Sequence, residues 1–126
     1  MSLSSSNVRK GALTYFPQKL DKLLPHPPDD LKKKHRWFQC TIKNATQFDL
    51  LLEESYLDSG TYWTAPGTVT QFDQMTFSGC NKNNSVATGV SGGQAFRVYL
   101  DEQHDFSFAI VRTGSTSKIY HLAPNN

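Results

Sequence analysis

The sequence predicts an all-β protein, an antiparallel β-sandwich of about seven to nine short strands behind an N-terminal extension that holds at most short helices. Three observations predict it. From Trp37 onward apolar residues recur with a period of two, the pattern of strands with one buried and one wet face. Turn-forming residues interrupt that pattern about every 8–12 residues, the spacing of a sandwich or barrel. Aromatic residues make up 12% of the chain and eight of them are Phe, and such rings favour the pleated, half-buried surface of a sheet.

The extension covers residues 1–36, and the sandwich domain 37–126. Residues 1–7 are short, polar and terminal and are expected to be disordered. Leu13, Phe16, Leu20, Leu23 and Leu24 fall near helical spacing, but Pro17 interrupts them and Pro25, Pro27 and Pro28 end them, which leaves one short helix over about Gln18–Leu24. Asp29 or Asp30 then caps a helical turn through Leu31–Lys34. Charge divides at the same place. Residues 1–36 carry eight Lys/Arg against three Asp, so 8 − 3 = +5, and the remainder carries five basic and eight acidic residues, so 5 − 8 = −3. The basic stretch keeps a flexible tail soluble and leaves room for an anionic partner such as phospholipid; nucleic acid is not expected.

The strands follow in order. Phe38, Cys40 and Ile42 alternate with polar residues, Asn44-Ala45-Thr46 turns the chain, and Phe48, Leu50 and Leu52 alternate with Asp49 and Glu53, which reads as a hairpin. Asp58-Ser59-Gly60 breaks it, Thr61–Thr64 forms a short strand, and Asp73–Ser78 places Met75 and Phe77 on one face. Gly89, Gly92 and Gly93 form a bend, followed by the clearest strand, with Phe96, Val98 and Leu100 inward. A turn at Asp101-Glu102-Gln103 leads into Phe106, Phe108 and Ile110, and Thr113-Gly114-Ser115 leads into Ser117–Leu122. Phe38, Ile42, Phe48, Leu50, Leu52, Met75, Phe77, Phe96, Val98, Phe106, Phe108 and Ile110 compose the expected core.

Chemistry is sparse. The four His are scattered without metal-ligand spacing, no cofactor motif occurs, and the Gly-rich Gly89–Gly93 stretch lacks the Lys and Ser/Thr of a phosphate loop. Cys40 is expected as a small core residue and Cys80 as an exposed one, with the two thiols unpaired. Glu53 and Glu54, adjacent on a strand, point to opposite faces and cannot easily share a substrate. A non-enzymatic protein follows, with a hydrolase the alternative from another class. The N-terminal Met-Ser-Leu-Ser-Ser-Ser lacks a signal peptide's pattern and no apolar run reaches membrane-spanning length, so a soluble chain is expected, cytoplasmic or released by a non-classical route. Tyr56, Tyr62 and Trp63 surround Asp58-Ser59-Gly60 outside the expected core, and such rings suit sugar stacking, choline cations or a membrane interface. The competing role for Trp63 is a plug at one end of the sandwich.

The order of motifs, Lys34-His35-Arg36-Trp37-Phe38 into Ile42-Lys43-Asn44, then Tyr56-Leu57-Asp58-Ser59-Gly60, Pro66, Val86-Ala87-Thr88-Gly89-Val90 and Phe106–Ile110, resembles the actinoporin-like cytolysins and the related fungal fruit-body lectins over residues 34–110. Aegerolysins are similar in size and match less well. The resemblance implies a β-sandwich that recognises a membrane lipid headgroup or a cell-surface glycan, or an intracellular lectin without lytic activity, with a homo-oligomer left open. It places Ser59 in the family's Ser-Gly step and Ser91 where the family has a Val, so the expected ligand residues are Tyr56, Ser59, Tyr62, Trp63 and Ser91. The family's pore-forming helix is largely free of Pro, whereas this extension has four by residue 28; pore formation is not expected.

Overall fold

A computed structural model describes residues 2–3, 22–82, 89–114 and 116–122. The expectations for residues 4–7, for the Gln18–Asp21 part of the first helix and for the Val86-Ala87-Thr88 motif lie outside the described residues. The fold is all-β. Its strands are β1 (Ser2–Leu3), β2 (Trp37–Asn44), β3 (Leu51–Ser59), β4 (Thr61–Thr64), β5 (Gln74–Cys80), β6 (Ser91–Tyr99), β7 (Asp105–Thr113) and β8 (Thr116–Leu122), and one helical turn, α1, spans Asp29–Lys32. The first sheet runs β1-β2-β5-β4 and the second β3-β6-β7-β8. All pairings are antiparallel except that of the two-residue β1, which lies parallel to β2 at Lys43 and Asn44.

The expected core forms. Phe38, Ile42, Leu50, Phe77, Phe96, Val98, Phe108 and Ile110 are buried in one cluster, with Phe48, Leu52, Met75 and Phe106 half-buried against it. Phe38 meets Phe77 edge-on at 5.9 Å, and Phe96 stacks on Phe108 at 5.3 Å. Val69 and Val90 join this cluster from loops.

Several expectations are corrected. β2 and β3 do not form a hairpin: β2 pairs with β5, and β3 with β6. The cause is Asn44, 1% exposed, whose amide donates to the carbonyls of Phe48 and Thr70 at 2.6 and 3.1 Å while its Oδ1 accepts from the Thr46 backbone N–H at 3.0 Å. The wide turn this creates carries the chain over to the opposite sheet, as a two-residue hairpin turn would not. Gly92 and Gly93 lie inside β6 and not in a bend, because β3 runs so close that a Cβ on Gly92 would stand 2.2 Å from the Tyr56 carbonyl oxygen. Leu100 falls outside β6 and is exposed, and Cys80 is buried. α1 begins at Asp29 behind Pro28, so the two Asp sit in its first turn and no side chain caps it. Ser2–Leu3, expected to be disordered, pair with β2.

The described part of the extension lies across the outside of the first sheet. Gln39, Gln74 and Lys43 donate side-chain hydrogen bonds to the carbonyls of Pro25, Leu23 and Lys22 at 3.0, 2.9 and 2.7 Å, and Lys22 pairs with Asp73. Residues 22–28 form no helix or strand, and Leu31 on α1 is fully buried. Prolines oppose a helix there, and the carbonyls left without helical partners accept from the sheet's side chains.

Candidate functional site

β3 and β4 are one chain segment bent between the two sheets. The bend is Gly60, with φ +89°, where a Cβ would stand 2.7 Å from the Cys80 carbonyl oxygen; only Gly fits this corner. After it, β4 pairs with β5 in a register that slips between Tyr62 and Thr64. The slip is a bulge at Trp63, and bulges re-aim side chains. Tyr62 turns inward against the core and its hydroxyl accepts from Gln94 Nε2 at 2.9 Å. Trp63 stays 40% exposed.

Trp63 borders a shallow pocket of about 410 Å³, where β4 begins and β5 ends, lined also by Lys34, Thr61, Tyr62, Cys80, Asn81 and Lys82. Asn81 builds its far wall. Its Oδ1 accepts from the Arg36 backbone N–H and its own N–H donates to the Arg36 carbonyl, both at 2.9 Å. This two-way clamp fixes the end of the extension to the end of β5, so Lys34 and Lys82 come to one pocket from positions far apart in the chain. Lys32 and Lys33 pair on the surface with Asp29 and Asp30. The lining thus combines two aromatic and two basic residues, a combination fitted to a ligand that has both a negative group and an apolar face.

The five expected ligand residues fall into three places. Tyr62 and Trp63 line the pocket. Ser59 and Ser91 meet at the corner between the sheets, their hydroxyl oxygens 3.0 Å apart. Tyr56 stands on the outer face of the second sheet, 48% exposed, opposite Gly93. Lys34, Asn81 and Lys82 were not among the expected residues; the pocket they share with Trp63 exists only once β4 and β5 are paired.

Other chemistry-bearing groups are engaged elsewhere. Arg97 bonds both Glu53 and Asp105, and these bonds hold its guanidinium charged. Asp101 caps its own turn by accepting from the N–H groups of Gln103 and His104, each at 2.8 Å, and those bonds pull its carboxyl below the usual range. His121 stacks on Phe106 at 5.4 Å. Cys40 and Cys80 are free, and burial pushes the Cys40 thiol above its usual value. Among the described residues, no three His, Cys, Asp or Glu side chains gather as metal ligands. Set against known proteins, the chain matches no family model and no curated sequence.

Proposed function

We propose that the chain is a non-enzymatic recognition module that binds the phosphate-bearing headgroup of a membrane lipid in the Trp63 pocket. The observation that carries this reading is the approach of Lys34 and Lys82 to an exposed indole. Two ammonium groups attract a phosphate, and an indole is at home at a membrane interface, where one side of the ring is apolar and its N–H is wet. The resemblance to lipid-binding cytolysins and fruit-body lectins supports the same reading. A cell-surface glycan is the second ligand class, and the paired lysines favour a phosphorylated ligand over it.

Binding is expected without lysis. Residues 22–28 form no helix and contain Pro25, Pro27 and Pro28, unlike an amphipathic helix built to insert. No helix among the described residues is long and apolar enough to cross a membrane. Such a module works peripherally, from the aqueous side.

Co-sedimentation with vesicles of phosphatidylcholine alone, and of phosphatidylcholine with phosphatidylserine or a phosphoinositide, tests the proposal. The expected result is sedimentation that free phosphate esters compete away and that Lys34→Glu with Lys82→Glu abolishes, with no release of trapped dye. Failure to sediment with any of these vesicles, or sedimentation indifferent to both lysines, overturns it.

A further inference from the structure

β8 is an edge of the second sheet, and all seven of its residues are exposed. Strand register places Ile119 in the row of Ile110 and His121 in the row of Phe108. Ile110 and Phe108 are 3% and 2% exposed, whereas Ile119 is 47% exposed, so the inward side of β8 overhangs the core. Tyr120 and Leu122 are exposed on its outward side. Among the described residues no strand lies along the far side of β8, and every second residue of an edge strand turns its backbone N–H and C=O to that side.

The other three sheet edges carry features that oppose pairing with another chain. β1 is two residues long, and β4 is four residues long with a slipped register. β3 slips twice against β6 and carries Glu53, Glu54 and Asp58. β8 pairs with β7 through seven consecutive residues without a slip, contains no Pro and no acidic residue, and has one lysine, Lys118. Shortness, bulges, Pro and charge are the usual guards of a sheet edge, and β8 has the fewest of them.

We infer that β8 pairs antiparallel with β8 of a second copy of this chain, joining the two second sheets into one sheet of eight strands across a twofold axis. The strand is self-complementary in one register. Ile119 is the midpoint of Thr116–Leu122, so only a pairing that sets Ile119 opposite its own copy uses all seven residues. Ser117 then stands opposite His121, Lys118 opposite Tyr120 and Thr116 opposite Leu122. An ammonium group meets a phenol ring, no two lysines face each other, and two isoleucines meet on the overhanging inward side. The contact is small, on the order of 1,000 Å², so the dimer forms at micromolar chain concentrations and above. β3 and β8 are the two ends of the second sheet and β4 continues β3 through Gly60, so the Trp63 pocket lies at the far edge and stays open in the dimer. This inference stands independently of the lipid proposal.

Analytical ultracentrifugation of the full chain over about a hundredfold range of concentration tests it. The expected result is a monomer–dimer equilibrium with no larger species, because the pairing closes on itself. Ile119→Lys and Ile119→Glu each set like charges together on the axis and should raise the dissociation constant at least about tenfold while the melting temperature holds. An equimolar mixture of the two should recover the dimer, as only a self-opposed position allows. Tyr120→Lys, which would face Lys118 of the second copy, covers the case in which the Ile119 variants fail to fold. Trp63→Ala should leave the equilibrium unchanged. The inference is overturned if the chain stays monomeric throughout the range, if larger species grow, if the dimer is indifferent to the Ile119 and Tyr120 substitutions, if the mixture stays monomeric, or if Trp63→Ala dissociates the dimer. A monomeric chain that still sediments with vesicles would sink this inference and leave the lipid proposal standing.

Discussion

The side chains of Gln94 and Tyr62 join the two sheets through the core: the Gln94 amide on β6 donates to the Tyr62 hydroxyl on β4 at 2.9 Å. Gln94 is 4% exposed, so its amide has little water to turn to. Tyr62→Phe keeps the ring and removes only the acceptor, and is expected to destabilise the fold by about 1–3 kcal/mol, the cost of a buried donor left unpaired. Urea denaturation measures it. An unchanged midpoint would mean that the amide finds another partner.

Trp63 and Phe96 separate recognition from scaffold. Trp63→Ala should weaken vesicle binding by about 1–3 kcal/mol and leave the melting temperature nearly unchanged, since the ring is on the surface. Phe96→Ala empties a fully buried position stacked on Phe108 and should cost about 3–5 kcal/mol of stability. Equal losses of melting temperature in the two variants would assign Trp63 to the scaffold.

Leu31 ties the extension to the body. It is fully buried on a four-residue helix too short to be stable alone, so its burial depends on the surface beneath. Leu31→Ala is expected to cost about 2–5 kcal/mol and, by loosening the turn that leads to Lys34, to weaken vesicle binding further. Loss of stability below about 1 kcal/mol would show the extension to be a dispensable tail.

Glycines at two positions should respond oppositely. Gly92→Ala drives a methyl group into the backbone of β3, 2.2 Å from the Tyr56 carbonyl oxygen and 2.8 Å from Leu57 Cα, and neither can yield without breaking the pairing. A loss of about 1–3 kcal/mol or more is expected. At Gly67 a Cβ meets nothing within 4 Å and φ is ordinary, so Gly67→Ala should be neutral or stabilise by up to about 1 kcal/mol. Thermal melts of the pair decide it.

Burial raises the Cys40 thiol's pKa in the folded state, so the native protein keeps that proton longer than the unfolded chain. The stability tied to this group is intact below the unfolded value of about 8.5 and is lost as pH rises through the folded value. Stability measured in urea should therefore fall above about pH 8.5, and fall less steeply in Cys40→Ala. Parallel slopes for the two proteins would refute this origin.

The sequence by itself determined the class of fold and most of the core, because alternation is local: whichever strand lies next to Phe96 or Phe108, a period of two puts both rings on one face. It also marked Gly60 as a break and set Trp63 outside the expected core, leaving open whether that ring meets a ligand or plugs an end of the sandwich. Which strands pair was decided only by the tertiary structure. Asn44 reads as an ordinary turn residue, but its side-chain bonds to Val69 and Thr70 exist only when distant segments have met, and with its local bond to Phe48 they send β3 to the opposite sheet. The same holds for the site. Lys34, Trp63 and Lys82 lie far apart in sequence and share a pocket only because Asn81 clamps Arg36 and β4 pairs with β5. Tyr56, near Trp63 in the chain, is carried to another face by the corner at Gly60. Rings close in the chain are parted in the fold, because a strand that changes sheets separates its neighbours and backbone pairing brings strangers together.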